Sequence, residues 1–247
     1  MEMVEPMDEG SMAAKASPLE TLRARIEKTW VPRIERAVAK VLVAQRSEIA
    51  SKVEQHAEHL ARKPADVKMW WYPHREEKRW RDALDPLMAD LSHEVANRIG
   101  RQLELHPAKA TLAFSGIAEF ITRRTAERIV GINQTTQDAV QAAITTGVES
   151  GLAPLEVSKL IIASTAFDEA RAEMIARTET MFAYNDSALK SYQTYGVEWV
   201  EALDGDQDEE CSTRVGKNPW KVEEAYSQID HPNGTLDWVP AYISAKA

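Results

Sequence analysis

The chain of 247 residues has one cysteine, Cys211. That excludes an internal disulfide framework and any all-thiolate zinc site within one chain. Long apolar runs are also missing: none reaches the roughly 18 residues that a membrane-spanning helix needs. The opening MEMVEPMDEGSM is acidic and has no apolar h-region, so it does not read as a secretory signal. A chain kept in the cytosol, or in a particle assembled there, is the expectation. There is no GxSxG, P-loop, GxGxxG, HExxH or CxxC, so the common nucleophile, phosphate and metal motifs are absent.

What is present is ordinary for a soluble globular protein: 44% apolar and 28% charged residues. The length suits one or two domains and is enough to bury a core without covalent staples. The net charge of −9 is uneven. Residues 1–62 carry 10 basic and 10 acidic side chains, residues 63–131 carry 12 and 10, and residues 132–247 carry 8 and 19. Nucleic-acid binding needs clustered Lys and Arg. The last third, at −11, does not supply them, and the first half does so on one helix face at most.

Residues 1–16 hold almost no large apolar side chains and read as a flexible tail. Ser17-Pro18 opens a helix as N-cap and first helical residue. Leu19, Leu22, Ile26, Trp30, Ile34, Val38, Val41, Leu42, Ile49, Val53 and Leu60 recur at helical spacing to about Ala61. Pro32 is expected to kink this helix. After a break at Lys63-Pro64 come Trp70, Trp71 and Tyr72, either a partner surface or a plug over the core. A helix over 75–105 follows, with the stripe Trp80, Leu84, Leu87, Leu91, Val95, Ile99 and Leu103, ended by His106-Pro107.

Three shorter helices are expected near 115–129, 134–149 and 154–164. Asn133 would cap the second, and Gly147 and Gly151 would bracket its end. The apolar set of the third is Leu155, Leu160, Ile161 and Ile162. A last helix opens near Asp168, carries Met174, Ile175, Thr178, Phe182 and Leu189 along one face, and stops at Gly196. Beyond it the alternation in 197–203 predicts a strand, 204–210 an acidic turn, 221–228 a helical turn, and 236–243 a second strand that Pro240 confines to an edge. His56 and His59 share a helix face but lack further ligands, and read as surface residues. Asp204, Asp206 and Asp208 resemble the opening of a calcium loop, but Glu209 and Val215 stand where its glycine and glutamate would be. Arg177-Thr178-Glu179 reads as a surface salt-bridge network of little energetic weight.

Three stretches together resemble a known family. They are INQTTQDAVQAAITTGVESGLAPLEVSKLI, then AEMIARTETMFAYNDSALKSYQTYGV with its IARTET helix and following Asn185, then EWVEALDGDQDEEC…G…EEA…DHPN…VP. In order and spacing they are similar to the head-morphogenesis domain of tailed phages, the Mu protein F-like minor head proteins. The resemblance covers Ile132–Pro240, about 109 of 247 residues. With the tail at 1–16 and the helical region at 17–131 read from composition and periodicity, the resemblance assigns the family domain to 132–247. The fold implied is mainly α, ending in a small α+β module at 197–247 with a short two-stranded sheet. Its signature residues are Arg177, Thr178, Glu179, Asn185, Asp204, Cys211, His231 and Pro232, in structural rather than catalytic roles.

Many family members carry further cysteines of zinc-ligand character; here Arg214 and Gly234 stand in cysteine-like places. Cys211 and His231 do not close a tetrahedral site unless aspartates help. The module is therefore expected to hold without metal or other cofactor, on Trp199, Val200, Trp220, Leu236, Trp238 and Val239. The function implied is assembly: a minor capsid protein at the portal vertex of the procapsid and the virion head, in some members aiding DNA packaging or delivery. The implied partners are the portal protein and, beyond it, the major capsid or scaffolding protein, with no membrane. Two rivals stand beside this reading. One is an internal head protein that binds DNA, which the charge does not support. The other is an enzyme or effector delivered with the particle, for which no room is expected after Pro240.

Overall fold

A computed structural model describes residues 18–56, 67–103, 107–205, 208–228 and 230–241. The expected tail, the helix end near Ala61, the Lys63-Pro64 break and His59 lie outside them. The architecture is mainly helical. Helices α1 (Pro18–Gln55), α2 (Pro73–Gln102), α3 (Pro107–Glu149), α4 (Pro154–Ile162) and α5 (Glu169–Thr194) precede a small antiparallel sheet. The sheet is built from β1 (Trp199–Leu203), β2 (Trp220–Lys221) and β3 (Asp237–Pro240), with α6 (Glu209–Gly216) and α7 (Val222–Ala225) between its strands.

The expected stripe of α1 faces inward: Leu22, Ile26, Trp30, Ile34, Val38, Val41, Leu42, Ile49 and Val53 are all buried. The helix runs on through Pro32, and α2 likewise runs through Pro86. Trp30 Nε1 donates to Glu94 Oε2 at 2.9 Å, tying α1 to α2. Ahead of α2, Trp70 and Trp71 are each 3% exposed, whereas Tyr72 is 52% exposed. The aromatic cluster is therefore largely a core plug. Only Tyr72 offers a surface, with Lys52 and Arg75 each 4.9 Å from its ring.

The two helices expected at 115–129 and 134–149 are one helix, α3. The expected boundary between residues 131 and 132 falls inside it. Its buried stripe is Ile117, Ile121, Thr125, Ile129, Asn133, Thr136, Val140 and Ile144, helically spaced across the supposed break. Three of these are polar, which hides the period in the sequence. Asn133 is not a cap. Its Oδ1 accepts from Gln45 Nε2 at 3.2 Å, and the same Nε2 donates to Glu76 Oε2 at 3.1 Å, linking α1, α2 and α3. Gly147 is interior too: a Cβ there would lie 2.7 Å from Val157 Cγ2, so the glycine lets α4 close onto α3. Gly151, at φ +66°, makes the turn.

On α4 the inward residues are Val157, Ser158 and Ile161, while Leu155, Leu160 and Ile162 are exposed. Of the expected apolar set only Ile161 is buried. The sheet has three strands rather than two, in the order β2-β1-β3. β2 is two residues long, too short to show alternation, and pairs Val200 with Trp220. β3 is an edge strand, so Pro240 opposite Val200 leaves no ladder donor missing inside the sheet. One continuous cluster of buried side chains runs from Leu22 to Trp238.

Candidate functional site

The signature residues meet where α5 packs on the C-terminal module. Asp168 caps α5, its side chain accepting from Arg171 N at 2.7 Å, and Gly196 at φ +80° follows the helix end. From Glu179 to Tyr192 nearly every side chain is buried. This is a central helix rather than an amphipathic one. The expected inward face holds only in part: Ile175 and Leu189 are buried, Met174 is 39% exposed, and Thr178 and Phe182 are half-buried. Small residues at Ala183, Ser187, Ala188 and Ser191 let neighbours approach the helix from several sides.

Three side chains of α5 fasten β3. Tyr184 OH donates to Asp237 Oδ1 at 3.0 Å, Asn185 Nδ2 donates to the Leu236 carbonyl at 2.9 Å, and Tyr192 OH donates to the Trp238 carbonyl at 3.2 Å. Tyr184 and Tyr192 are fully buried, and burial, with Asp237 next to it, pushes the Tyr184 phenol far up. On the other side of α5, Arg128 of α3 donates to Glu179 Oε2 at 2.8 Å and lies 3.5 Å from Asp186 Oδ2. Glu179 is 3% exposed, so this part of Arg177-Thr178-Glu179 is a buried ion pair, not the surface pair expected. Burial pushes the Glu179 carboxyl up and Asp186 adds to that, while Arg128 opposes it. Arg177 is the exposed member and pairs with Glu27 of α1 at 3.1 Å. Thr178 Oγ1 accepts from Asn233 N at 3.3 Å.

Of the expected acidic turn at 204–210, residues 206 and 207, Asp206 among them, lie outside the described residues; Asp204 enters a buried ion pair and Asp208 caps a short helix. Asp208 caps α6, accepting from Cys211 N at 2.8 Å, and its Oδ2 lies 3.1 Å from His231 Nε2. Asp204 is shielded from solvent at its side chain and takes Arg214 Nη1 at 2.7 Å; Thr235 Oγ1 donates to its other oxygen at 2.9 Å. Asp230 accepts from His231 N at 2.9 Å and Leu236 N at 3.0 Å. A Cβ at Gly234 would lie 2.2 Å from Asp230 Cγ, so only glycine fits there. Pro232 is exposed, its carbonyl 3.1 Å from His231 Nδ1. Trp220 and Trp238 pack edge to face at 6.3 Å between ring centroids, and Trp199 is half-buried.

Metal-type donors do converge here. Asp204, Cys211 and Asp230 place ligand atoms within 4.8 Å of one another, and so do Asp208, Cys211 and His231. The residues as they stand do not fit a zinc ion: the guanidinium of Arg214, 2.7 Å from Asp204 and 3.9 Å from Asp230, already supplies the positive charge. Burial, reinforced by Asp204 and Asp208, pushes the Cys211 thiol up to about 12. It is protonated near neutral pH and a poor nucleophile. A cleft of about 180 Å³ opens between α3, α5 and the module, lined by Arg124, Arg128, Asn185, Asp186 and Tyr226 among others.

Sequence reasoning named Asp204, Cys211, His231 and Asn185, and the structure gathers them at one junction. It missed Tyr184, Tyr192, Arg128 and Asp186 as the fasteners of that junction. The two tyrosines stand eight residues apart on one helix, a spacing that places them on one face. Comparison with protein-family models, with curated proteins and with solved structures finds no match to this chain.

Proposed function

We propose that this chain is a minor head protein of a tailed phage, docking at the portal vertex during procapsid assembly. One observation carries the reading beyond the resemblance. Two of the three stretches that resemble the family, the one on α5 and the one from Glu198 to Pro240, close on one another where Thr178, Tyr184, Asn185 and Tyr192 bond to Asn233, Asp237, Leu236 and Trp238, 46 to 55 residues further along the chain. Their side chains serve contacts within the fold, as a structural signature requires. The N-terminal helices then present the surface for the portal, with Tyr72 and its flanking Lys52 and Arg75 as the exposed aromatic anchor. The test is co-purification with the portal protein encoded by the same genome, followed by imaging of the complex. Association that survives salt but weakens in Tyr72→Ala supports the reading. No association at micromolar concentrations overturns it.

A second reading, contact with DNA, rests on Arg33, Arg36 and Lys40, which line one groove between α1 and α2. Three phosphate contacts would give a log–log salt slope of about −3, far from that of a dedicated DNA-binding surface.

A further inference from the structure

The cluster around α6 contains the donors of a metal site together with a cation made of protein. Cys211 and Arg214 stand three residues apart on α6, which places them on the same face. Asp204 follows β1 and Asp230 precedes β3, and because these strands are antiparallel neighbours with Leu203 opposite Asp237, both carboxylates come from the same end of the sheet. The side chains of Asp204, Arg214 and Asp230 are at most 5% exposed. Two carboxylates this close in a poorly solvated place do not both stay charged without a cation between them. Arg214 Nη1 is that cation, 2.7 Å from Asp204 Oδ2 and 3.9 Å from Asp230 Oδ1. The carboxylates are aimed by other groups. Thr235 holds Asp204, the backbone N–H groups of His231 and Leu236 hold Asp230, and the absent side chain of Gly234 leaves space for it.

We infer that Arg214 is the resident cation of a latent metal site, and that removing its side chain converts Asp204, Cys211 and Asp230 into a site for a soft divalent ion such as zinc. Cys211 also belongs to a second group, with Asp208 and His231, so its sulfur lies at the meeting point of two donor sets. Two carboxylate oxygens and one sulfur, with water in the fourth position, make a donor set that zinc accepts in tetrahedral geometry. The carboxylates do not move far in this exchange, because their orientation is fixed by hydrogen bonds that do not involve Arg214.

The experiment compares the wild-type chain with Arg214→Ala, Arg214→Lys and the double variant Cys211→Ser/Arg214→Ala, each purified free of metal. Cobalt(II) is titrated while the thiolate-to-cobalt charge-transfer absorption is recorded, and melting is followed with and without zinc. The expected result is no thiolate–cobalt band in the wild type or in Arg214→Lys, a band saturating at one equivalent in Arg214→Ala, and its loss in the double variant. Zinc should raise the melting temperature of Arg214→Ala by several degrees and leave the wild type unchanged. If Arg214→Ala fails to fold alone, the readout is refolding yield: recovery with zinc but not with magnesium supports the inference, and no recovery overturns it. A thiolate–cobalt band in the wild type, or none in folded Arg214→Ala, also overturns it.

Discussion

Arg128→Ala tests the energetics of the junction most directly. Arg128 is 18% exposed at its side chain and Glu179 4%, with 2.8 Å between them. Removing the guanidinium strands Glu179 without its charge-assisted donor. Asp186 is less affected, because Arg124 Nε remains 3.3 Å from it. Breaking a buried pair from one side typically costs about 3–5 kcal/mol. The partial exposure of Arg128 lets water replace some of its effect, which places the loss at about 3 kcal/mol. Glu179→Gln is the asymmetric control. It removes the group that suffers most from burial, and it leaves Arg128 with Asp186 and water, so its cost should stay within about 1 kcal/mol.

The pH dependence follows from the raised Glu179 carboxyl. A carboxyl raised by folding favours the folded state below its unfolded value, and that advantage is lost as pH rises through the folded value. Removing Arg128 raises it further. The deficit of Arg128→Ala should therefore be largest near neutral pH, shrink toward about pH 5, and lose its pH dependence in the double variant with Glu179→Gln. Urea denaturation at the two pH values reads all of this. If Arg128→Ala costs under about 1 kcal/mol, or if Glu179→Gln costs more than Arg128→Ala, the buried-pair account is wrong.

Other outcomes follow from single positions. Glu48 loses some solvation on burial, but hydrogen bonds from Lys52 and Arg79 outweigh this and hold its carboxyl down at about 2 against an ordinary 4.5. The stability it contributes is present above the unfolded value and is lost as pH falls toward about 2. Glu48→Gln should cost about 1 kcal/mol at neutral pH, after allowance for solvent screening, and nothing in strong acid; a deficit independent of pH refutes this. Gly147→Ala should destabilise by about 1–3 kcal/mol through collision with Val157, whereas Gly131→Ala, which meets nothing, should stabilise by up to about 1 kcal/mol; equal effects in thermal melts would contradict the packing described. Trp70→Ala should cost about 3–5 kcal/mol in stability and Tyr72→Ala under about 1 kcal/mol, with portal association falling only in folded Tyr72→Ala. The reverse order of stabilities would place the exposed aromatic elsewhere.

The long helices were legible because their apolar residues keep the helical period over many turns, as Ile26, Trp30, Ile34 and Val38 do. The stop signals were less informative. Asn133 reads as the N-cap of a second helix, yet α3 runs on through it, with Asn133 recruited by Gln45. Exposed Leu155 and Ile162 are apolar without being inward, because α4 is too short for its pattern to choose a face. In the module, Cys211 and His231 were legible as residue types. The part played by Arg214 was not, since a buried arginine and a surface arginine look alike until Asp204 and Asp230 are seen on either side of it.

The stretch that resembles the head-morphogenesis domain is not a separable body in this chain. A cut at Ile132 would fall in mid-helix in α3, and would part Asn133 from Gln45 and Glu179 from Arg128. The module from Val197 onward is no more independent: its β3 strand and the segment leading into it take hydrogen bonds from Tyr184, Asn185 and Tyr192 of α5. Arg23 of α1 reaches the Gly234 carbonyl at 3.5 Å, and Arg177 reaches back to Glu27 of α1. Helix α1 therefore touches both the signature segment of α5 and the turn that leads into β3. In such an arrangement the buried polar residues of α5 do more than fill space. Each fixes one register of the module against the helices, which an all-apolar interface of small residues would leave free to slide.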